Sequence, residues 1–134
     1  MADLGVERAD FVGVPTQDLE RAVRFYGETL GLKRNELAHP EWPEFEIGQL
    51  TVVLTDVAKT GQTFSPTVGA IAIRVADVAE ARNRLEEAGV AFHGETYDSS
   101  VCHMAFFSDP DGNALILHRR YAPYRDGSRP DEPS

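Results

Sequence analysis

A chain of 134 residues, 42% apolar and 26% charged, has the length for one domain with its own core and the composition of an ordinary soluble globular protein. Acidic residues outnumber basic ones 22 to 13, a formal charge of −9, which argues against a nucleic-acid partner and either serves solubility alone or attracts cationic small molecules. No segment approaches the roughly 20 apolar residues of a membrane span, Met1 to Ala9 lack a signal-peptide apolar run, and Cys102 is the single cysteine, so a cytoplasmic setting without membrane or disulfide is expected.

In chain order, an N-terminal segment (1–9) precedes the apolar stretch Phe11-Val12-Gly13-Val14, which reads as a strand. Asp18 then offers an N-cap, and Leu19, Ala22, Val23, Tyr26 and Leu30 recur at helical spacing up to Gly31, a residue suited to the left-handed closing conformation. Three short strands are expected next, at about Lys33 to Ala38, Glu44 to Ile47 and Leu50 to Asp56, separated by Pro40, Pro43 and Gly48. A polar linker, 58–67, holds Gly61 and Pro66.

The same pattern then returns. Ala70-Ile71-Ala72-Ile73 reads as a strand, Asp77 as a cap, and Val78, Ala81, Leu85 and Ala88 as a helix face ending at Gly89. Strands are expected at about Ala91 to Thr96, Val101 to Phe107 and Ala114 to Arg119, with Asp109-Pro110-Asp111-Gly112 as the last turn. Asp18 and Asp77 lie 59 residues apart, Gly31 and Gly89 58, so one single-residue slip relates two βαβββ units, about 10–57 and 68–120. The tail, 121–134, is rich in Pro, Asp, Arg and Ser and is expected to be disordered.

Three stretches, Asp18 to Tyr26 with Leu30-Gly31-Leu32, Val75 to Ala81, and Phe107-Ser108-Asp109-Pro110-Asp111-Gly112-Asn113, together resemble the signature of the vicinal oxygen chelate superfamily. This is the fold of glyoxalase I, bleomycin-binding proteins and extradiol dioxygenases. The resemblance spans about Ala9 to Arg119 and implies an α+β domain, 10–120, in which two βαβββ repeats form a cup-shaped, curved mixed sheet, commonly in a homodimer. It also implies where a metal would sit in metal-dependent relatives: on the first and last strands of each repeat. Those positions map to Phe11, Val53, Ala70 and Ile116. None carries an oxygen, nitrogen or thiolate donor, so the resemblance implies no standard metal site, and no other cofactor is indicated.

What remains is an apolar cup, to which the residues alone add Trp42, Phe45 and either Phe106 or Phe107. Such a surface either receives a small molecule or merely fills the barrel. Trp42, bracketed by Pro40 and Pro43, is a lid aromatic or a packed loop anchor. His118 shares the face of Ile116 and either lines the rim or is a polar strand end. His103 and Cys102 must point to opposite faces of a shared strand, so only one of them can look into the cup. His103 reads as a hydrogen-bonded pocket or core histidine, and Cys102 as a small packed residue rather than a nucleophile. Two functions follow: metal-independent sequestration of an aromatic or cationic compound, in the manner of antibiotic resistance, by Phe11, Trp42, Phe45, Val53, Ala70, His103, Phe106, Ile116 and His118; or an enzyme using His103, His118 or a non-standard metal site. The first needs no catalytic residues.

Overall fold

The computed structural model describes residues 4–130. Its internal contacts divide the chain between Phe64 and Ser65, and each unit builds a four-stranded mixed sheet with the same connectivity. Among the described residues no helix is long and apolar enough to cross a membrane.

In the first unit, β1 (Val12–Thr16) leads into α1 (Leu19–Arg24), followed by β2 (Lys33–Arg34), β3 (Glu44–Ile47) and β4 (Leu50–Asp56). The strands lie in the order β1-β4-β3-β2, with β1 parallel to β4 and the other pairs antiparallel. A parallel pair needs a crossover, and α1 supplies it. The Asp18 carboxylate accepts from the Arg21 N–H at 3.1 Å, satisfying one of the donors a helix start leaves open. The helix widens into a π-type turn, Phe25–Thr29, closed by the Leu30 N–H on the Phe25 carbonyl and by Gly31 at φ +71°. Val14, Val52, Leu54 and Phe45 meet Phe25 and Tyr26 in a core that excludes water. The expected strand 33–38 stops after Arg34, because the Asn35 side chain turns the chain: its oxygen accepts from the Leu37 N–H and its amide donates to Glu44.

The second unit repeats the plan with β5 (Ile71–Arg74), α2 (Val78–Glu87), β6 (Tyr97–Asp98), β7 (Cys102–Ser108) and β8 (Ala114–Arg120), in the order β5-β8-β7-β6. Asp77 caps α2 by accepting from the Glu80 N–H at 3.0 Å. Ile73, Ala105, Phe107, Leu115 and Leu117 are buried with Val78 and Leu85 of the helix. The strand expected at 91–96 is replaced by a single bridge from Phe92 to Phe107. The His93 N–H still donates to the Phe106 carbonyl, but Gly94 takes φ +76° and Arg82 of α2 donates to the Gly94 carbonyl and the Thr96 hydroxyl, so from Gly94 to Thr96 the helix holds the chain. The guanidinium of Arg82 also lies 4.7 Å from the centre of the Phe92 ring.

The Asp109 to Asn113 turn is a buried polar lock. Asp109 accepts from the Asp111 and Asn113 N–H groups and from the Asn113 side-chain amide at 2.8 Å, while the Asn113 oxygen takes the Thr67 N–H. Gly112 sits at φ +89°, which a side-chain-bearing residue would resist. The motif is thus structural: it joins the β7–β8 turn to the strand-entry segment of its own unit. Of the C-terminal tail, 131–134 lie outside the described residues. Over 121–130, Arg120 donates to the Ala122 and Pro123 carbonyls, a turn closes from Tyr124 to Ser128, and Arg74 donates to the Pro130 carbonyl.

Candidate functional site

Side chains alternate across a strand, so each sheet has a face covered by its helix and a second face. In the second unit the covered face holds Ala105, Phe107, Leu115 and Leu117. The second face carries Cys102, Met104 and Phe106 on β7, Ile116, His118 and Arg120 on β8, and Ala72 and Arg74 on β5. Ile116 stands between Phe106 and Ala72, and His118 between Met104 and Arg74. Phe106, Ile116 and His118, all expected at the site, are therefore brought together and half-buried. Ala70, exposed, stands one residue ahead of β5 in phase with Ala72. Met104, Cys102, Ala72 and Arg74 join this face without having been chosen from the sequence. Strand alternation counted from Ile116 through the β7–β8 register would have found them.

His103 does not belong to this group. It shares the phase of Ala105 and Phe107, at the end of the helix-side face, so of the two neighbours it is Cys102 that lies on the Phe106 face. His103 instead stacks on Tyr121, ring centres 4.8 Å apart, with its Nε2 3.4 Å from Asp98. Asp98 is held below the ordinary carboxylate range, chiefly by the Tyr121 hydroxyl at 2.7 Å and then by the Ser100 N–H. The same bond pushes the Tyr121 hydroxyl above its ordinary value.

In the first unit, the face in phase with Val53 also presents Gly13, opposite Val53 on one side, and Glu44 on the other, with Glu46 beyond, opposite Thr51. Phe11 stands one residue ahead of β1 in phase with Gly13 and is 60% exposed. Phe45 is a correction to the expected site. It is fully buried against Tyr26, on the helix side of its sheet, because it pairs with Val52 rather than with Val53. Trp42 is half-buried in the loop before β3, its N–H donating to the His39 carbonyl.

Phe11 and Val53 in one unit, and Ala70 and Ile116 in the other, thus occupy matching places on matching faces. Their side chains offer no donor to a metal ion, so these residues do not fit the metal that the fold carries in some relatives. Among the described residues no group of three or more His, Cys, Asp and Glu side chains is placed to hold one.

Residues 8–117 match the family described as the Glyoxalase/Bleomycin resistance protein/Dioxygenase superfamily. Similar solved structures include TnmS3, an antibiotic binding protein from Streptomyces sp. CB03234, at 28% identity and TM-score 0.71, covering 88% of this chain and 99% of that one. A glyoxalase/bleomycin resistance protein from the same organism is 32% identical, with TM-score 0.64 and coverage of 80% and 96%. A superfamily member from Sphaerobacter thermophilus DSM 20745 is 27% identical, with TM-score 0.70 and coverage of 86% and 98%. No curated protein sequence matches the chain. The repeated βαβββ unit and the match over residues 8–117 establish that the chain belongs to the glyoxalase/bleomycin resistance protein/dioxygenase superfamily.

Proposed function

We propose that the protein binds and holds a small, largely apolar aromatic compound without the help of a metal. The observation that carries this reading is the second face of the β5–β8 sheet, where Phe106, Ile116, Met104 and Ala72 adjoin in register. An aromatic ring beside a branched aliphatic and a polarizable thioether gives a planar ligand dispersion contacts without a polar group to desolvate. His118 at one end of the patch can donate or accept one orienting hydrogen bond. The likeness to an antibiotic binding protein supports a sequestering role rather than a catalytic one. His118 is also the one expected acid–base residue left on this face, and a single imidazole with no oriented partner is a poor catalytic set.

The test is a thermal-shift screen of planar aromatic antibiotics, run with and without a chelator, followed by recovery of the compound. Binding that survives the chelator and returns the compound unchanged is expected. Binding that requires a divalent ion, or a compound recovered altered, would replace this reading with the enzymatic one.

A further inference from the structure

On the helix side of the second sheet, away from the Phe106 face, a cavity of about 490 Å³ opens between the first turn of α2 and the end of β8. Its size is in the range that receives a small organic molecule. Its walls are cationic in a chain whose net charge is −9: Arg119, Arg120 and Arg129 line it together with His103. The guanidinium of Arg119 makes no hydrogen bond or ion pair among the described residues. Arg120 is directed elsewhere, to the Ala122 and Pro123 carbonyls and over the Tyr124 ring, though its charge remains at the rim.

The carboxylates nearby are already engaged. Asp77, in the wall, accepts from the Glu80 N–H. Asp98 accepts from the Tyr121 hydroxyl and the Ser100 N–H, with His103 beside it. Tyr121 and His103 therefore form a fixed ring pair, tilted by 32°, that closes one side of the cavity, while Ala76 and Val78 supply apolar surface on another. A guanidinium fork with no protein partner is matched by a planar oxyanion, and a held ring pair by a flat body.

We propose that this cavity is a second binding site, for a small planar organic anion whose oxyanion pairs with Arg119 and whose body lies against Tyr121 and His103. It is independent of the ligand face proposed above, since Cys102, Met104 and Phe106 point the other way from the same strand.

The full chain is titrated with 4-nitrobenzoate, with 4-nitrobenzyl alcohol as the uncharged match and inorganic phosphate as the anion without a flat body, and the ring signals of His103 and Tyr121 are followed by NMR. The benzoate is expected to move both rings at millimolar concentration, the alcohol to leave them in place, and phosphate to bind more weakly. Arg119→Gln should weaken benzoate binding by at least about tenfold, the loss of a charge-assisted pair. Should that variant fail to fold, Ala79→Glu serves instead. Residue 79 is exposed in the first turn of α2, where a carboxylate suits the helix, and there it would repel the anion from the cavity. Unmoved His103 and Tyr121 signals, movement at Met104 and Phe106 instead, phosphate binding as tightly as the benzoate, or full affinity in a folded variant would each overturn the proposal.

Discussion

Phe106 and Ile116 stand directly opposite one another on β7 and β8, on the face that α2 leaves to other contacts, while their neighbours Phe107 and Leu115 oppose each other on the covered face and are 1% and 2% exposed. Two adjacent pairs of similar composition therefore have different work to do. The pair beneath the helix holds the unit together, and the half-buried pair is available to a ligand.

That division predicts opposite outcomes for two Phe→Ala changes. Phe106→Ala removes a half-buried ring and should lower stability by no more than about 1–2 kcal/mol, while weakening an aromatic ligand by about 1 kcal/mol beyond its lost contact area. Phe45→Ala empties a fully buried site against Tyr26 and should cost about 3–5 kcal/mol of stability. Urea unfolding of both variants, with ligand binding measured on Phe106→Ala, checks the pair. Equal destabilisation would mean that Phe106 is as much a core residue as Phe45.

A second expectation concerns the polar lock at the β7–β8 turn. Asn113 is 1% exposed, donates to Asp109 and accepts from Thr67. Asn113→Ala leaves both partners short of a bond and should destabilise the protein by at least about 2 kcal/mol, without changing ligand affinity in the folded fraction. Urea unfolding together with a binding isotherm reads both quantities. A nearly neutral variant would show that water replaces the amide.

Asp18, Asp77, Gly31 and Gly89 made the helix ends legible, because capping and left-handed closure are local requirements written in single residues. The strands Glu44–Ile47 and Leu50–Asp56 could likewise be read from their apolar runs and breaks. The expected strand 91–96 ran through Gly94, whose φ is +76°, and the arginine that holds the chain there, Arg82, comes from a helix 12 residues earlier that nothing local announces. The site was legible to the extent that register was known. Ile116 and His118 were placed on one face by counting along a single strand. Assigning Phe45 and His103 required knowing which phase of their strands the helix covers, and both went to the covered side. Aromaticity alone did not distinguish Phe45 from Phe106.

The Asp98–Tyr121 bond should be visible in acid titration. Asp98 is depressed in the folded chain, first by the Tyr121 hydroxyl and then by the Ser100 N–H. A depressed carboxylate contributes stability above its unfolded value of about 3.9 and loses it as pH falls through the lower folded value. For Tyr121, raised by the same bond, the sign is reversed: its contribution is present below about 10 and is lost as pH rises through the elevated value. Tyr121→Phe should move the Asp98 titration upward toward the ordinary carboxylate value, followed by the Asp98 side-chain carboxyl signal in NMR. An unchanged titration would assign the depression to Ser100 and His103 instead.

The ligand face can be closed from its edge while Phe106, Ile116 and Met104 stay unchanged. Ala72 is exposed on β5, an edge strand of its sheet, and lies directly beside Ile116 and next but one to Phe106. At such a position Ala72→Trp meets little packed structure within its own sheet, so the overpacking penalty of a core site should not apply. Its indole should lie over Ile116 and occupy the surface that a planar ligand needs. Ligand affinity should then fall by at least about tenfold, equivalent to roughly 1.4 kcal/mol of lost contact, while the unfolding midpoint stays near that of the parent chain. Cys102 gives an independent reading, since the single thiol is half-buried on this same face. A saturating aromatic ligand should slow its reaction with a disulfide reagent in the parent protein. In the Trp variant the same ligand should give no such protection. Undiminished affinity in a folded Ala72→Trp protein, with thiol protection retained, would place the ligand elsewhere on the chain.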